Sequence, residues 1–119
     1  MDKFYITTPI YYANAKPHVG SAYTTIAADV LARFHRAQNI DTWFLAGVAE
    51  HGTKIANSAE KAGLEPQVFV DQTSLQFIDA WKKLNISSDD FIRTTEPRHI
   101  EAVIKFFNKF KDSGKIYEG

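Results

Sequence analysis

A chain of 119 residues, 45% of them hydrophobic and 24% charged, has the composition of a globular protein and room for one small core, so residues 1–119 are expected to form a single domain. Fourteen Lys and Arg balance fourteen Asp and Glu, which excludes a basic arm and gives no strong nucleic-acid patch. The absence of cysteine excludes disulfides, thiolate nucleophiles and cysteine-ligated zinc. The chain has neither a signal-peptide pattern nor an apolar run near the roughly 18–20 residues of a membrane span, and a cytoplasmic location is expected.

In chain order, Phe4–Thr8 is a short β-type run that ends at Pro9. Residues 9–18, with two prolines and two tyrosines, read as an ordered loop. A helix follows from about Gly20 to Ala37, with Ile26, Ala27, Val30, Leu31 and Phe34 at helical spacing on one face. Asp41–Ala46 is a second strand. Gly47 and Gly52 bracket a turn, Thr53 is a candidate N-cap, and Gly63 a helix stop. Pro66 opens another helix, whose apolar positions include Phe69, Phe77, Ile78, Trp81 and Leu84. Phe91–Arg93 reads as a third strand. Pro97 opens a last helix, with Ile100, Val103, Ile104, Phe107 and Phe110 expected to face inward. Gly114 ends it, and Lys115–Tyr117 reads as the start of a fourth strand. Trp43, Trp81 and the phenylalanines of the last helix are read as core. His35 and His99 read as structural, and Lys105, Lys109 and Lys111 as a solvated face.

This alternation predicts an α/β fold: a parallel sheet with crossover helices. Few strands leave the sheet incomplete. A parallel sheet needs both faces covered and an exposed edge invites pairing, so completion by self-association is expected.

Two junctions carry candidate chemistry. After the first strand, His18-Val19-Gly20-Ser21 leads into a helix. A helix N-terminus presents free amides and a positive dipole end, which suit phosphate, and a histidine there can donate to developing charge. On spacing alone, a histidine beside a cap and a glycine in a tight turn explain it better. After the second strand comes Gly47-Val48-Ala49-Glu50-His51-Gly52. Glu50 and His51 could hold a substrate amine or a ribose, but on these residues alone a solvated turn with two polar side chains is the first reading. Tyr11 and Tyr12 suit an apolar pocket or a half-buried core.

The run from Phe4 to Asn14, followed by Pro17-His18-Val19-Gly20, resembles the opening of bacterial methionyl-tRNA synthetases. Ala22-Tyr23-Thr24-Thr25, Ala28-Asp29, Glu50-His51-Gly52 and the stretch Asp90 to His99 match as well, so the resemblance covers the whole chain in order. It implies a partial Rossmann-like (HUP-type) sheet, the N-terminal half of a class I catalytic domain. That family uses ATP with magnesium to activate methionine as an adenylate, then transfers it to tRNA(Met). By resemblance, His18, Gly20, Ser21, Gly47, Glu50 and His51 belong to ATP binding, with His18 and Ser21 in the catalytic signature. Ile10, Tyr12, Val48 and Ala49 match the methionine site. No metal ligand falls in this segment. The zinc-bearing insertion, the Lys-Met-Ser-Lys-Ser loop and the anticodon-binding helices would all lie beyond residue 119.

The departures are specific. Ser21 stands where the His-x-Gly-His signature has its second histidine. The family's Thr-Gly-Thr-Asp-Glu-His-Gly turn reads Ala46-Gly47-Val48-Ala49-Glu50-His51-Gly52 here, so the acidic group for the methionine ammonium is missing unless Glu50 substitutes. Little or no activity is expected of the chain alone. Two alternatives are a non-catalytic half-domain that dimerises or binds nucleotide, and a small adenylyltransferase.

Overall fold

The alternating residues Lys3–Thr7 form strand β1 in the computed structural model, which describes residues 2–118. Pro9, with no N–H to donate, follows the strand, and pairing resumes only at the two-residue strand β2, Tyr11–Tyr12. The remaining elements are α1 (Val19–Ala37), β3 (Asp41–Ala49), α2 (Thr53–Ala62), α3 (Pro66–Lys83), β4 (Asp90–Arg93) and α4 (Pro97–Asp112).

All strand pairs are parallel and β3 is central. On one side β1 runs from Lys3↔Asp41 to Thr7↔Leu45. There β2 continues the line, with Tyr11 beside Val48 and Tyr12 beside Ala49. On the other side β4 pairs from Leu45↔Asp90 to Val48↔Arg93. This is the expected parallel α/β sheet. Among the described residues, no strand pairs with the outer edges of β1 and β4.

Two apolar clusters hold the layers. Ala28 and Ala32 of α1 pack on Phe44 of β3, and their small side chains let the helix lie close to the sheet. Val48, Ile55, Val70, Phe77 and Trp81 join β3, α2 and α3 around Ala13. Fully burying a side chain such as Phe77 contributes about 1.5–3 kcal/mol.

Several expectations are corrected. The second strand runs on to Ala49, so Gly47, Val48 and Ala49 are strand and not turn. The residue at Gly47 must be small: a Cβ there would come 2.6 Å from Ile92 Cγ2 and closer still to the Ile92 carbonyl. The N-cap of α2 is Gly52, not Thr53, because the first helical bonds, from Ile55 and Ala56, end on the Gly52 carbonyl. The side of α1 facing the sheet is Ser21, Thr25, Ala28, Asp29 and Ala32. Its larger apolar residues Ile26, Val30, Leu31 and Phe34 are exposed, as is Trp43. Helix α4 buries none of its residues, so its apolar stripe does not face inward. Lys115–Tyr117 forms no strand.

A polar clamp fixes α1 to the segment before β4. Asp29 accepts from both the backbone N–H and the hydroxyl of Ser87 at 2.6 Å and pairs with Arg33 at 2.6 Å. Arg36 pairs with Asp89, which also accepts from the Phe44 N–H at 2.7 Å. Burial alone would raise the Asp29 pKa, but the Ser87 and Arg33 bonds outweigh it and hold it below the usual 3.8. A carboxyl depressed in the folded state contributes stability above its unfolded pKa and loses it as pH falls through the folded value. We therefore expect the urea midpoint to drop on acidification below about pH 4, and Asp29→Asn to flatten that slope. An unchanged slope would mean that this clamp does not couple to folding.

Candidate functional site

The chain enters α1 through His18, whose extended backbone (φ −125°, ψ 175°) makes it the N-cap. Its ring takes the place of the usual capping oxygen: Nδ1 accepts from the Gly20 N–H at 3.0 Å. With Nδ1 occupied as acceptor, the neutral ring carries its proton on Nε2, which is left as a donor. Gly20 lets the ring lie this close, since a Cβ there would fall 2.9 Å from His18 Cε1. No acidic residue occupies the first turn of α1, so the positive end of the helix is uncompensated.

Beside this N-terminus lies a cleft of about 320 Å³ lined by Ile10, Tyr12, Asn14, Lys16, His18 and Ser21, with Tyr11 and Phe77 contributing aromatic walls. Period-two alternation through the loop sorts its residues. Tyr11 and Ala13 go to the core, while Ile10 and Tyr12 are exposed. The Tyr11 hydroxyl lies 3.1 Å from both the Ser21 carbonyl and Thr25 Oγ1, and its ring stacks on Phe77 at 5.9 Å. This anchors the loop to α1 and fixes Ile10 and Tyr12 relative to His18.

The second junction is built differently. The Glu50 side chain is 0% exposed and pairs with Arg93 at 2.7 Å. It also accepts from the Ser74 and Thr95 hydroxyls, and its own N–H donates to Thr94 Oγ1 at 2.8 Å. Arg93 in turn reaches Asp71. Burial lowers the Arg93 pKa, but the bonds to Glu50 and Asp71 outweigh it and raise it, so the guanidinium stays charged. His51 Nε2 lies 3.1 Å from the Thr94 carbonyl. Because a carbonyl only accepts, His51 also keeps its proton on Nε2.

The structure thus brings Ile10, Tyr12, His18 and Ser21 to one cleft, with Gly20 supporting the His18 ring. It does not bring Gly47, Val48, Glu50 or His51 there. Gly47 lies against β4, Val48 is core, Glu50 is locked in its ion pair, and His51 borders a separate small cleft with His99 and Ile100. Ala49 stands next to Tyr12 across the sheet. Asn14, Lys16 and the Arg93 network are absent from the sequence reading. Lys16, a lone cation two residues before the capping histidine, is a signal that reading passed over. No three His, Cys, Asp or Glu side chains converge into a metal-binding group among the described residues, and no described helix is long and apolar enough to cross a membrane.

Residues 4–119 match the family model described as tRNA synthetases class I (M). Methionine–tRNA ligase of Thermotoga maritima is 50% identical over 117 residues, covering 98% of this chain and 19% of the relative. That of Rickettsia conorii is 53% identical over 116 residues, covering 98% and 23%. Among solved structures, Mycobacterium tuberculosis methionyl-tRNA synthetase in complex with methionyl-adenylate superposes with a TM-score of 0.93 at 43% identity, covering 96% of this chain and 22% of that one. The chain therefore spans about a fifth of the length of the relatives it matches.

Proposed function

Because the chain belongs to the class I tRNA synthetases of the methionine type, we propose that it is the N-terminal half of a methionine–tRNA ligase catalytic domain, with little adenylation by itself. The observation that carries this reading is the cleft that joins the His18-capped end of α1 to Ile10 and Tyr12. In the complete reaction the methionine carboxylate attacks the α-phosphorus of ATP, the bond to the β-phosphate oxygen breaks, and pyrophosphate leaves. Charge grows on the phosphoryl oxygens. The Nε2–H of His18 and the end of α1 are suited to stabilise it, without a covalent enzyme intermediate. Ser21 is 2% exposed and offers only a hydroxyl where the signature has a second ring donor, which lowers the electrostatic contribution. Among the described residues no group of His, Cys, Asp or Glu converges into a metal cage; magnesium is expected to arrive on the ATP phosphates. tRNA(Met) as acceptor and a cytoplasmic setting belong to the same reading.

A second reading is a non-catalytic half-domain that self-associates, and the exposed apolar residues of α1 and α4 favour it. Calorimetric titration with ATP separates the two. The synthetase reading expects saturable binding that His18→Ala weakens about 10- to 100-fold, the value of a hydrogen bond to a charged group. Folded protein that takes up neither ATP nor methionine would leave the non-catalytic reading.

A further inference from the structure

Lys16 and Pro17 lead into the His18 cap along a stiff piece of backbone. Proline holds its own φ at about −65° and confines the residue before it to extended geometry; His18 is extended as well. In an extended run, residues two apart lie on the same side, and Lys16 and His18 both border the cleft. Lys16 is exposed and takes part in none of the ion pairs among the described residues. No carboxylate borders the cleft to balance it, and none stands in the first turn of α1. Ser21 is a second group without a protein partner. It is 2% exposed and borders the same cleft, yet the bonds it accepts, from the Tyr11 and Thr25 hydroxyls, both end on its carbonyl. Its own hydroxyl pairs with none of the described residues, although a hydroxyl so deeply placed ordinarily finds a partner.

We propose that Lys16 is a phosphate-binding residue of this site, its ammonium pairing with the phosphate chain of ATP. This deepens the synthetase reading and rests on it. The argument is charge. A ring N–H, a helix N-terminus, an uncommitted hydroxyl and an ammonium meet at one cleft, with no protein anion among them, and such a set takes a polyanion. The Ser21 hydroxyl adds a bond but no charge, so the full positive charge comes from Lys16. A lysine ammonium is a compact point charge on a flexible stem, which follows a phosphate without demanding one geometry. The rival partner is Asp79, across a neighbouring cleft that Lys16 shares with Gln76 and Lys83. Lys16 and Asp79 make no ion pair, and Lys83, four residues along the same helix, gives Asp79 another cation close by.

Calorimetric titration of the whole folded chain with ATP, at low and at high salt, tests this. Lys16→Met keeps a flexible stem and removes the charge. It is expected to weaken ATP binding about five-fold at low salt, the upper value of an exposed ion pair, and by less at high salt, where screening has already weakened the contact. Lys16→Arg keeps the charge and is expected to restore affinity to within about two-fold. Methionine affinity is expected to be the same in all three proteins, which a distorted cleft would not allow. ATP binding that His18→Ala weakens and Lys16→Met does not would overturn the Lys16 assignment and leave the synthetase reading standing. An equal loss for ATP and methionine would overturn it too, because it would show that Lys16 only shapes the cleft. Equal drops in urea midpoint for Lys16→Met and Asp79→Asn, with ATP binding untouched, would give Lys16 to Asp79 instead. No ATP uptake by the folded wild type would overturn both the assignment and the reading beneath it.

Discussion

Arg93→Ala is expected to cost about 3–5 kcal/mol, enough to unfold a domain of this size or nearly so. The reason is what it leaves behind. The Glu50 side chain is wholly buried and, among the described residues, Arg93 is its only charged partner; without the guanidinium, two hydroxyls remain to hold a carboxylate out of water. Asp71, the other partner of Arg93, is half exposed and needs no replacement. The double change Glu50→Gln with Arg93→Gln removes both charges and is expected to cost clearly less than Arg93→Ala alone, which is the signature of an orphaned ion and not of lost packing. Urea denaturation of the three proteins measures this. If Arg93→Ala kept the wild-type midpoint, Glu50 would have to be reaching solvent, and the network would not bind β3, α3 and β4 together.

How much of this was legible in the sequence depends on the range of each interaction. The α/β alternation, the stop at Gly63 (φ 67°) and the His18–Gly20 entry to α1 are local, and local pattern reports them. The cleft residues were legible for the same reason: Ile10, Tyr12, His18 and Ser21 lie on one loop and the helix it feeds. Gly47 misled because glycine reads as a turn, whereas its absent Cβ serves the close approach of Ile92. Ile26, Val30 and Phe34 on α1, and the stripe on α4, show that periodicity reveals an apolar face but not what covers it. On α1 the sheet-facing side is the one with Ser21, Thr25, Ala28 and Ala32, because small residues permit close helix–sheet packing. The Glu50–Arg93 pair spans 43 positions, and no local signal announces a partner so distant. Without it, Glu50 in a glycine-bracketed run reads as a solvated side chain.

That burial of Glu50 sets the second large expectation. Both of its oxygens are bonded to Arg93, Ser74 and Thr95 and its side chain is fully buried, so it is not presented to an ammonium group in the cleft. The position with room is Ala49. It ends β3 in register with Tyr12, and residues paired in register share a face of the sheet. Its carbonyl is held by the Ala13 N–H at 2.9 Å, so its Cα is fixed. A carboxylate at 49 would stand beside Tyr12, on the face away from buried Val48. We expect Ala49→Asp to strengthen methionine binding by about 10- to 100-fold, the 1.5–3 kcal/mol of a hydrogen bond to a charged group. Stability should fall by roughly 1 kcal/mol, since a carboxylate at a half-buried site exchanges packing for function. Ala49→Asn adds nearly the same volume without the charge and should gain little. Calorimetry with methionine on the three proteins decides between charge and shape. Equal gains from Asp and Asn would mean that residue 49 only shapes the cleft. No gain from either, in folded protein, would mean that the ammonium is held by groups outside this chain and that these residues form only the nucleotide side of the site.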